Sequence, residues 1–302
     1  MVMKTILSLL LLLMMGSSAM AQNFVFKVLA NKGANEVKST EASWQPLKTG
    51  SVLHSGDELK VSENAYLGLM HSSGRTLEIT NAGVMNVDEL ASAINANSSS
   101  VASKYADFVM NKVAGSESAN ALKATGAVER GDEAAAFRVF LPSSVELLNN
   151  NANIEWSAAD MANPTYVVQI KNQFDEVIFK QETNDTEMAI DFAQFEQKKS
   201  LGARLVILTV NVKDSDELKS GDYGISRVPE PKAEKINAEI KEVSTKAPET
   251  SLDYIMLASF YENNKLMLDA LGAYKKAMEL SPEVKDFEIM YADFLNRNGL
   301  TN

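Results

Sequence analysis

The chain has no cysteine among its 302 residues and only two histidines, and its 29 Lys and Arg are outnumbered by 40 Asp and Glu. Without cysteine there are no disulfides and no thiolate chemistry, so each domain must be held by its own apolar core. No thiol is available for a lipid anchor either. Two histidines, His54 and His71, fall short of the converging ligands a metal centre needs. The formal charge of −11 repels phosphate backbones and argues against nucleic acid as a partner. Long apolar runs are missing as well, with one exception at the start of the chain. That run, Ile6 to Met15, has ten residues, whereas a bilayer core requires roughly 20.

Its context makes it a secretory signal. Lys4 precedes the apolar run, and Ala19 and Ala21 occupy the small-residue positions of a cleavage site, so maturation after Ala21 is expected. About 280 residues remain, enough for two or three cores, and the net charge becomes −12. The expectation is a soluble periplasmic or secreted protein with no integral membrane segment in the mature chain.

Three textures follow. Residues 22–90 show period-two alternation, as in Phe24, Phe26 and Val28, then Leu59 and Val61, then Ala65, Leu67 and Leu69, then Leu77 and Ile79. Turn signals such as "KTG", "SGD" and "SSG" break the runs about every ten residues, which predicts a small antiparallel β domain. Residues 91–133 turn to Ala, Ser and Asn, with Val101, Tyr105, Phe108, Val109 and Val113 at helical spacing. One amphipathic helix in a polar linker is expected there.

Residues 134–230 return to strands. Trp156 is followed by two strands around "NQFDE", with Tyr166, Val168 and Ile170 on one face. "RLVILTVNV", Arg204 to Val212, reads as an almost continuously apolar, buried strand. Regular strands and a single Trp resemble, in a generic way, an immunoglobulin-like sandwich without its disulfide.

Residues 231–302 are helical. "YIMLASFYENNKLMLDALGAYKKAMELSP" resembles a tetratricopeptide repeat. Tyr254, Leu257, Ala258 and Tyr261 fit its first helix, and Ala270, Tyr274, Ala277 and Pro282 fit its second helix and stop. Small residues let the helices approach and aromatics fill the gap between them. Pro248 lies one 34-residue period earlier, with Ile236, Ile240 and Val243 marking a degenerate preceding unit. Tyr291, Ala292 and Leu295 offer a following first helix. The resemblance implies a groove for a partner segment, unless that face packs on the sandwich or on another chain.

"SWQPLKTGSVLHSGDEL", Ser43 to Leu59, is the stretch that most resembles a site. A phosphate cradle needs a helix N-terminus after its glycines, and here strands follow. A catalytic reading of Asp57–Glu58 or Asp88–Glu89 lacks a nucleophile elbow, and such pairs are common on solvated turns. The remaining account is structural. Trp44, Leu47, Gly50, Leu53, Gly56, Asp57 and Leu59, with Gly74 and Gly83 further on, resemble the FecR-type periplasmic β domain. Trp44 and the leucines would supply core, the glycines turn conformations, and Asp57 a bond to its own turn. What this resemblance implies is an envelope module for binding or sensing.

The expected fold class is therefore multidomain β plus α: a FecR-like β domain, an immunoglobulin-like sandwich and TPR-like helical hairpins. The expected role is non-enzymatic, with no cofactor or metal, binding or scaffolding an envelope protein or peptide. A ligand sensor ranks second. A wall or glycan hydrolase, using carboxylates from different parts of the chain, ranks third. Oligomeric state is not legible.

Overall fold

The computed structural model describes residues 24–40, 42–94, 109, 137–196, 205–215, 217–243 and 248–300. The expected signal peptide with its cleavage site, and the expected linker helix apart from Val109, lie outside the described residues. Val109 itself is buried in the main core. The chain is β-structured in its N-terminal part and helical at its C-terminus, as expected at that level.

The N-terminal unit comprises β1 (Phe26–Lys32), β2 (Glu36–Lys38), β3 (Gln45–Pro46), β4 (Val52–Leu53), β5 (Glu58–Val61), β6 (Tyr66–His71), β7 (Thr76–Ile79) and β8 (Gly83–Asn86). They form two antiparallel four-stranded sheets, β4-β1-β6-β7 and β3-β2-β5-β8. Phe26, Val28, Leu47, Leu53, Leu59, Val61, Leu67, Leu69 and Ile79 fill the space between them. Helix α1 (Val87–Ala93) closes the unit, capped by Asn86, whose Oδ1 accepts the Asp88 and Glu89 amides. The Asp88–Glu89 pair thus lies in the first turn of a helix, where carboxylates meet the dipole favourably, and not on an open turn. Leu90, Ala91 and Ile94 pack on this core, so the unit extends past residue 90.

The middle unit contains β9 (Ser144–Leu147), β10 (Asn151–Glu155), β11 (Tyr166–Lys171), β12 (Val177–Thr183), β13 (Glu187–Asp191), α2 (Ala193–Glu196), β14 (Leu205–Val212) and β15 (Tyr223–Arg227). One sheet has the order β12-β11-β14-β15-β9, and the other is the pair β10-β13. Trp156 and Tyr166 meet edge to face at 5.4 Å in the buried layer between them. Tyr166, Val168 and Ile170 share the inner face as expected. Strand β14 departs from its expectation of burial throughout. Val206, Leu208, Val210 and Val212 are buried, while Leu205 is exposed and Ile207 half-buried, because no described element covers the outer face of that sheet there.

The helices are α3 (Glu230–Val243), α4 (Ser251–Asn263), α5 (Met267–Leu280) and α6 (Lys285–Arg297). Pro231 is tolerated in the first turn of α3, where a missing N–H costs nothing. Thr250 and Asp253 form a reciprocal capping box that starts α4. The short turn Asn264–Leu266 reverses the chain, so α4 and α5 pack along their lengths with Ala258 and Ala270 fully buried. Pro282 stands two residues past the end of α5, where it prevents continuation.

Helix α4 has no exposed residue; its apolar side chains point in every direction. A helix of that kind is covered on all sides. One continuous core accordingly joins the middle sandwich and the helices, and reaches Leu29, Ala30, Tyr66 and Met70 of the N-terminal unit.

Candidate functional site

The place where the structure gathers polar and ionisable groups is the pair of joints by which the helices hold the two β units. The joint to the N-terminal unit is built on the outer face of sheet β4-β1-β6-β7. A β-bulge between Val28 and Ala30 shifts the register against β6, so Leu29 and Ala30 turn toward the helices. On β6 the alternate residues Tyr66, Gly68 and Met70 point the same way. Tyr66 meets Phe287 of α6 edge to face at 5.8 Å. A Cβ added at Gly68 would stand 3.1 Å from both terminal carbons of Leu252, so glycine is what lets α4 approach.

Carboxylates finish this joint by accepting neutral donors. Asp286 accepts the Asn31 amide and the Thr49 hydroxyl, both at 2.7 Å. Glu78 accepts the Leu252 amide at 2.8 Å, one of the free donors at the start of α4. Asp253 accepts the Thr76 hydroxyl at 3.1 Å.

The joint to the sandwich carries charge. Asp269, buried in the first turn of α5, accepts the amides of Leu148 and Asn149 at 2.9 and 2.8 Å. These belong to the β9–β10 turn. Arg227 grips the same turn through the Asn149 carbonyl and the Asn150 side chain, and Asn149 donates to the Tyr261 hydroxyl. Burial pushes Asp269 up to about 6, against the pull of the two amides.

Further along α5, Lys275 bridges Glu155, at 3.0 Å, and Glu187. These two glutamates are direct cross-strand partners on β10 and β13. Tyr291 of α6 donates to Glu155 at 3.1 Å. Burial raises the Glu155 carboxyl against the pull of Lys275, whereas hydrogen bonds from Lys275 and then Asn153 lower Glu187. Burial and then the Glu155 charge raise the Tyr291 phenol. Two carboxylates pushed in opposite directions are the arrangement an acid–base pair requires. Here, however, the ammonium sits between them, and like charges directly opposite on neighbouring strands need such a counterion merely to coexist. The arrangement works as an ion-paired joint. A buried carboxylate, Glu262 at the end of α4, is bound by Arg297 and Asn298 at 3.2 Å and ties α4 to the end of α6.

Most of the repeat-like positions come together between the helices. Leu257, Ala258, Tyr261, Ala270, Tyr274 and Ala277 are buried, and Tyr254 is half-buried. Ile236 is buried and Ile240 half-buried on α3. In α6 the anchors are Phe287 and Phe294, seven residues apart; Tyr291 and Leu295 are only half-buried and Ala292 is exposed. The spacing of the two phenylalanines, with Tyr291 between them, was the signal that marks this face.

In the opening stretch, Gly56 has φ +84 as third residue of a turn closed by the Asp57 amide on the His54 carbonyl. That is a type II turn, which favours glycine there. Asp57 is buried and its Oδ2 accepts the His54 amide at 2.8 Å, the expected bond to its own turn. Gly50 and Gly74 also have positive φ, and Gly83 begins β8. Leu47, Leu53 and Leu59 are buried as expected.

Trp44 is not in the core. It lies half-buried beside β3, with the Lys38 and Lys60 ammonium groups 5.6 and 5.7 Å from its ring centroid. Lys38 and Lys60 are in turn paired with Glu58 and Glu36 across the strands. The inner face is already filled by Val37, Leu47 and Leu59, which leaves the indole to cover lysine stems on the outer face. His71 is bonded to Ser73, and burial lowers it. Among the described residues no group of three or more His, Asp or Glu could hold a metal ion. Among them, too, no helix is long and apolar enough to cross a membrane.

Compared with known proteins, the chain matches no family model and no curated protein.

Proposed function

We propose that this chain is an exported, non-enzymatic envelope protein that binds or scaffolds a macromolecular partner, protein or peptide, through a FecR-like β domain and TPR-like helices. The observation that carries the reading is that the helices share one apolar core with both β units, α4 meeting the N-terminal unit at Gly68 and Glu78 and α5 meeting the middle unit at the β9–β10 turn. Charged groups at the joints serve assembly, each engaged by a partner inside the chain. The strand order β12-β11-β14-β15-β9 against β10-β13 supports the immunoglobulin-like reading of the middle unit. Turns at Gly50 and Gly56, and the Asp57 bond, support the FecR-like reading. The α4–α5 hairpin with its buried alanines supports the TPR-like one.

Because α4 is covered, recognition falls to uncovered surfaces. Among these are the outer face of sheet β3-β2-β5-β8, bearing Trp44 and Val84, and the outer side of α6, where Ile289 is exposed. The test is crosslinking and affinity capture from the native envelope with the mature chain, compared with Trp44→Ala and Ile289→Asp. Selective loss of one partner in either variant supports the reading and names the module. A capture profile indistinguishable from a control exported protein counts against it. Export has its own check: N-terminal sequencing should find Gln22, and an intact hydrophobic start would contradict it.

A further inference from the structure

The outer face of sheet β3-β2-β5-β8 carries a charge pattern with a symmetry of its own. The register of β2 and β5 sets Glu36 opposite Lys60 and Lys38 opposite Glu58, and the two pairs close at 2.7 and 3.0 Å. The four charges therefore alternate in sign both along and across the strands. Register extends the first row to Pro46 on β3 and to Val84 on β8, while Trp44 lies against the two lysines. The face is open: Val84 is 62 % exposed, Pro46 is exposed, and the four charged side chains keep 31–52 % of their exposure. The chain as a whole is acidic, with 40 Asp and Glu against 29 Lys and Arg, yet this square holds two charges of each sign.

We propose that this face is a self-association surface, on which a second copy of the chain docks face to face about a two-fold axis. The proposal rests on the reading of the face as a recognition surface and names its partner. A two-fold interface brings the same patch of each copy together, so the patch must complement itself. The alternating square does so about both axes that lie in its plane. With the axis along the strands, β2 comes over β5 of the second copy, which sets Glu36 over Lys60 and Lys38 over Glu58. With the axis across the strands, Glu36 comes over Lys38 and Lys60 over Glu58. Either way every charge gains a second opposite charge and none meets its like. A partner with charge of a single sign would set two like charges against two unlike ones, and like-charge contacts suppress wrong partners. The first axis also seats Pro46 over Val84 at each end of the row, an apolar contact that shields the charges between from water. In both arrangements the strands of the two sheets run in line, as in aligned sheet packing.

Two charge-reversed variants of the mature chain test this by sedimentation velocity. Lys38→Glu with Lys60→Glu makes the square wholly acidic, and Glu36→Lys with Glu58→Lys makes it wholly basic. The wild type should form a concentration-dependent dimer, and each variant alone should stay monomeric. An equal mixture of the two variants should dimerise again, which would also show both to be folded. The wild-type dimer should weaken between about 0.1 M and about 1 M salt, as the screening length falls from about 10 Å to about 3 Å. A wild type that is monomeric at every concentration overturns the proposal, as does a dimer that persists in both variants or a mixture that stays monomeric. Should either variant not fold, Val84→Asp, at an exposed position, takes its place. It should weaken the dimer about tenfold, and an unchanged dimer would overturn the proposal. Capture from the envelope is read separately. A monomeric wild type that still loses an envelope partner in Trp44→Ala would sink the dimer and leave the recognition surface standing.

Discussion

The two sheets of the N-terminal unit have the same number of strands and the same antiparallel pairing, yet one is covered on both faces and the other on one. Strand β6, in the covered sheet, reads Tyr-Leu-Gly-Leu-Met and is buried at each of those positions. Strands β2 and β5, in the open sheet, alternate: Val37, Leu59 and Val61 turn inward, while Glu36, Lys38, Glu58 and Lys60 face water and pair across the strands. A sheet that meets solvent on one side keeps its alternation, and a sheet sealed on both sides loses it. The difference marks where the helices dock. It also separates residues whose loss should unfold the molecule from residues whose loss should leave it folded.

The largest effect is expected at Phe287, fully buried against Tyr66 on the covered side. Phe287→Ala should cost about 3–5 kcal/mol, the range for a large-to-small change in a core. Chemical denaturation would read it as a lower midpoint. A change under about 1 kcal/mol, within the range of surface substitutions, would mean that the N-terminal unit and helices do not share a core in solution.

Gly68→Val attacks the same joint from the opposite side. The added carbons would press on Leu252, already 3.1 Å from an ideal Cβ, and overpacking of this kind costs about 1–3 kcal/mol. The combination Gly68→Val with Leu252→Ala should recover part of that loss. If it does not, the glycine is needed for the bulge opposite it in β1 and not for the approach of α4. Ala270→Leu makes the matching test inside the helical hairpin, also at about 1–3 kcal/mol. Because the helices pack on both β units, its unfolding should involve them as well. A separate transition for the helices would show the modules to be energetically independent.

Much of this was legible in the residues and some of it was read too simply. The alternation of Ala65, Leu67 and Leu69 located the inner face of β6. Tyr66, Gly68 and Met70 between them carried the information about docking, and a lone glycine within a strand is a recognised sign of close approach. Asn86 followed by Asp88 and Glu89 spells a helix start, so α1 was readable as well. The joints themselves were not readable. Asp269 meets Leu148 across 121 residues, and Asp286 meets Asn31 across 255. No spacing rule reaches that far, and an acidic residue in the first turn of a helix ordinarily serves only the dipole. Trp44 was misplaced for a related reason. A tryptophan among leucines reads as core, but the register that turns it outward depends on β2 and β5, which pair with each other across the sheet.

Trp44→Ala should have the smallest effect on stability. The ring is half-buried and contributes its contacts with Lys38 and Lys60, and cation–π pairs at exposed sites are worth about 0.5–1 kcal/mol each. The Lys38–Glu58 and Lys60–Glu36 pairs remain after its removal, at 3.0 and 2.7 Å, so the sheet keeps its cross-strand partners. The melting temperature should therefore move by a few degrees at most, in contrast with Phe287→Ala. Partner capture should behave the other way round. An aromatic held on an open sheet face, with the exposed Val84 on the same sheet, is the kind of residue that anchors an interface. Trp44→Ala should lose a partner while staying folded, and a conservative Trp44→Tyr should retain part of the capture. A destabilisation as large as that of Phe287→Ala would return Trp44 to a core role. Unchanged stability together with unchanged capture would move recognition to α6.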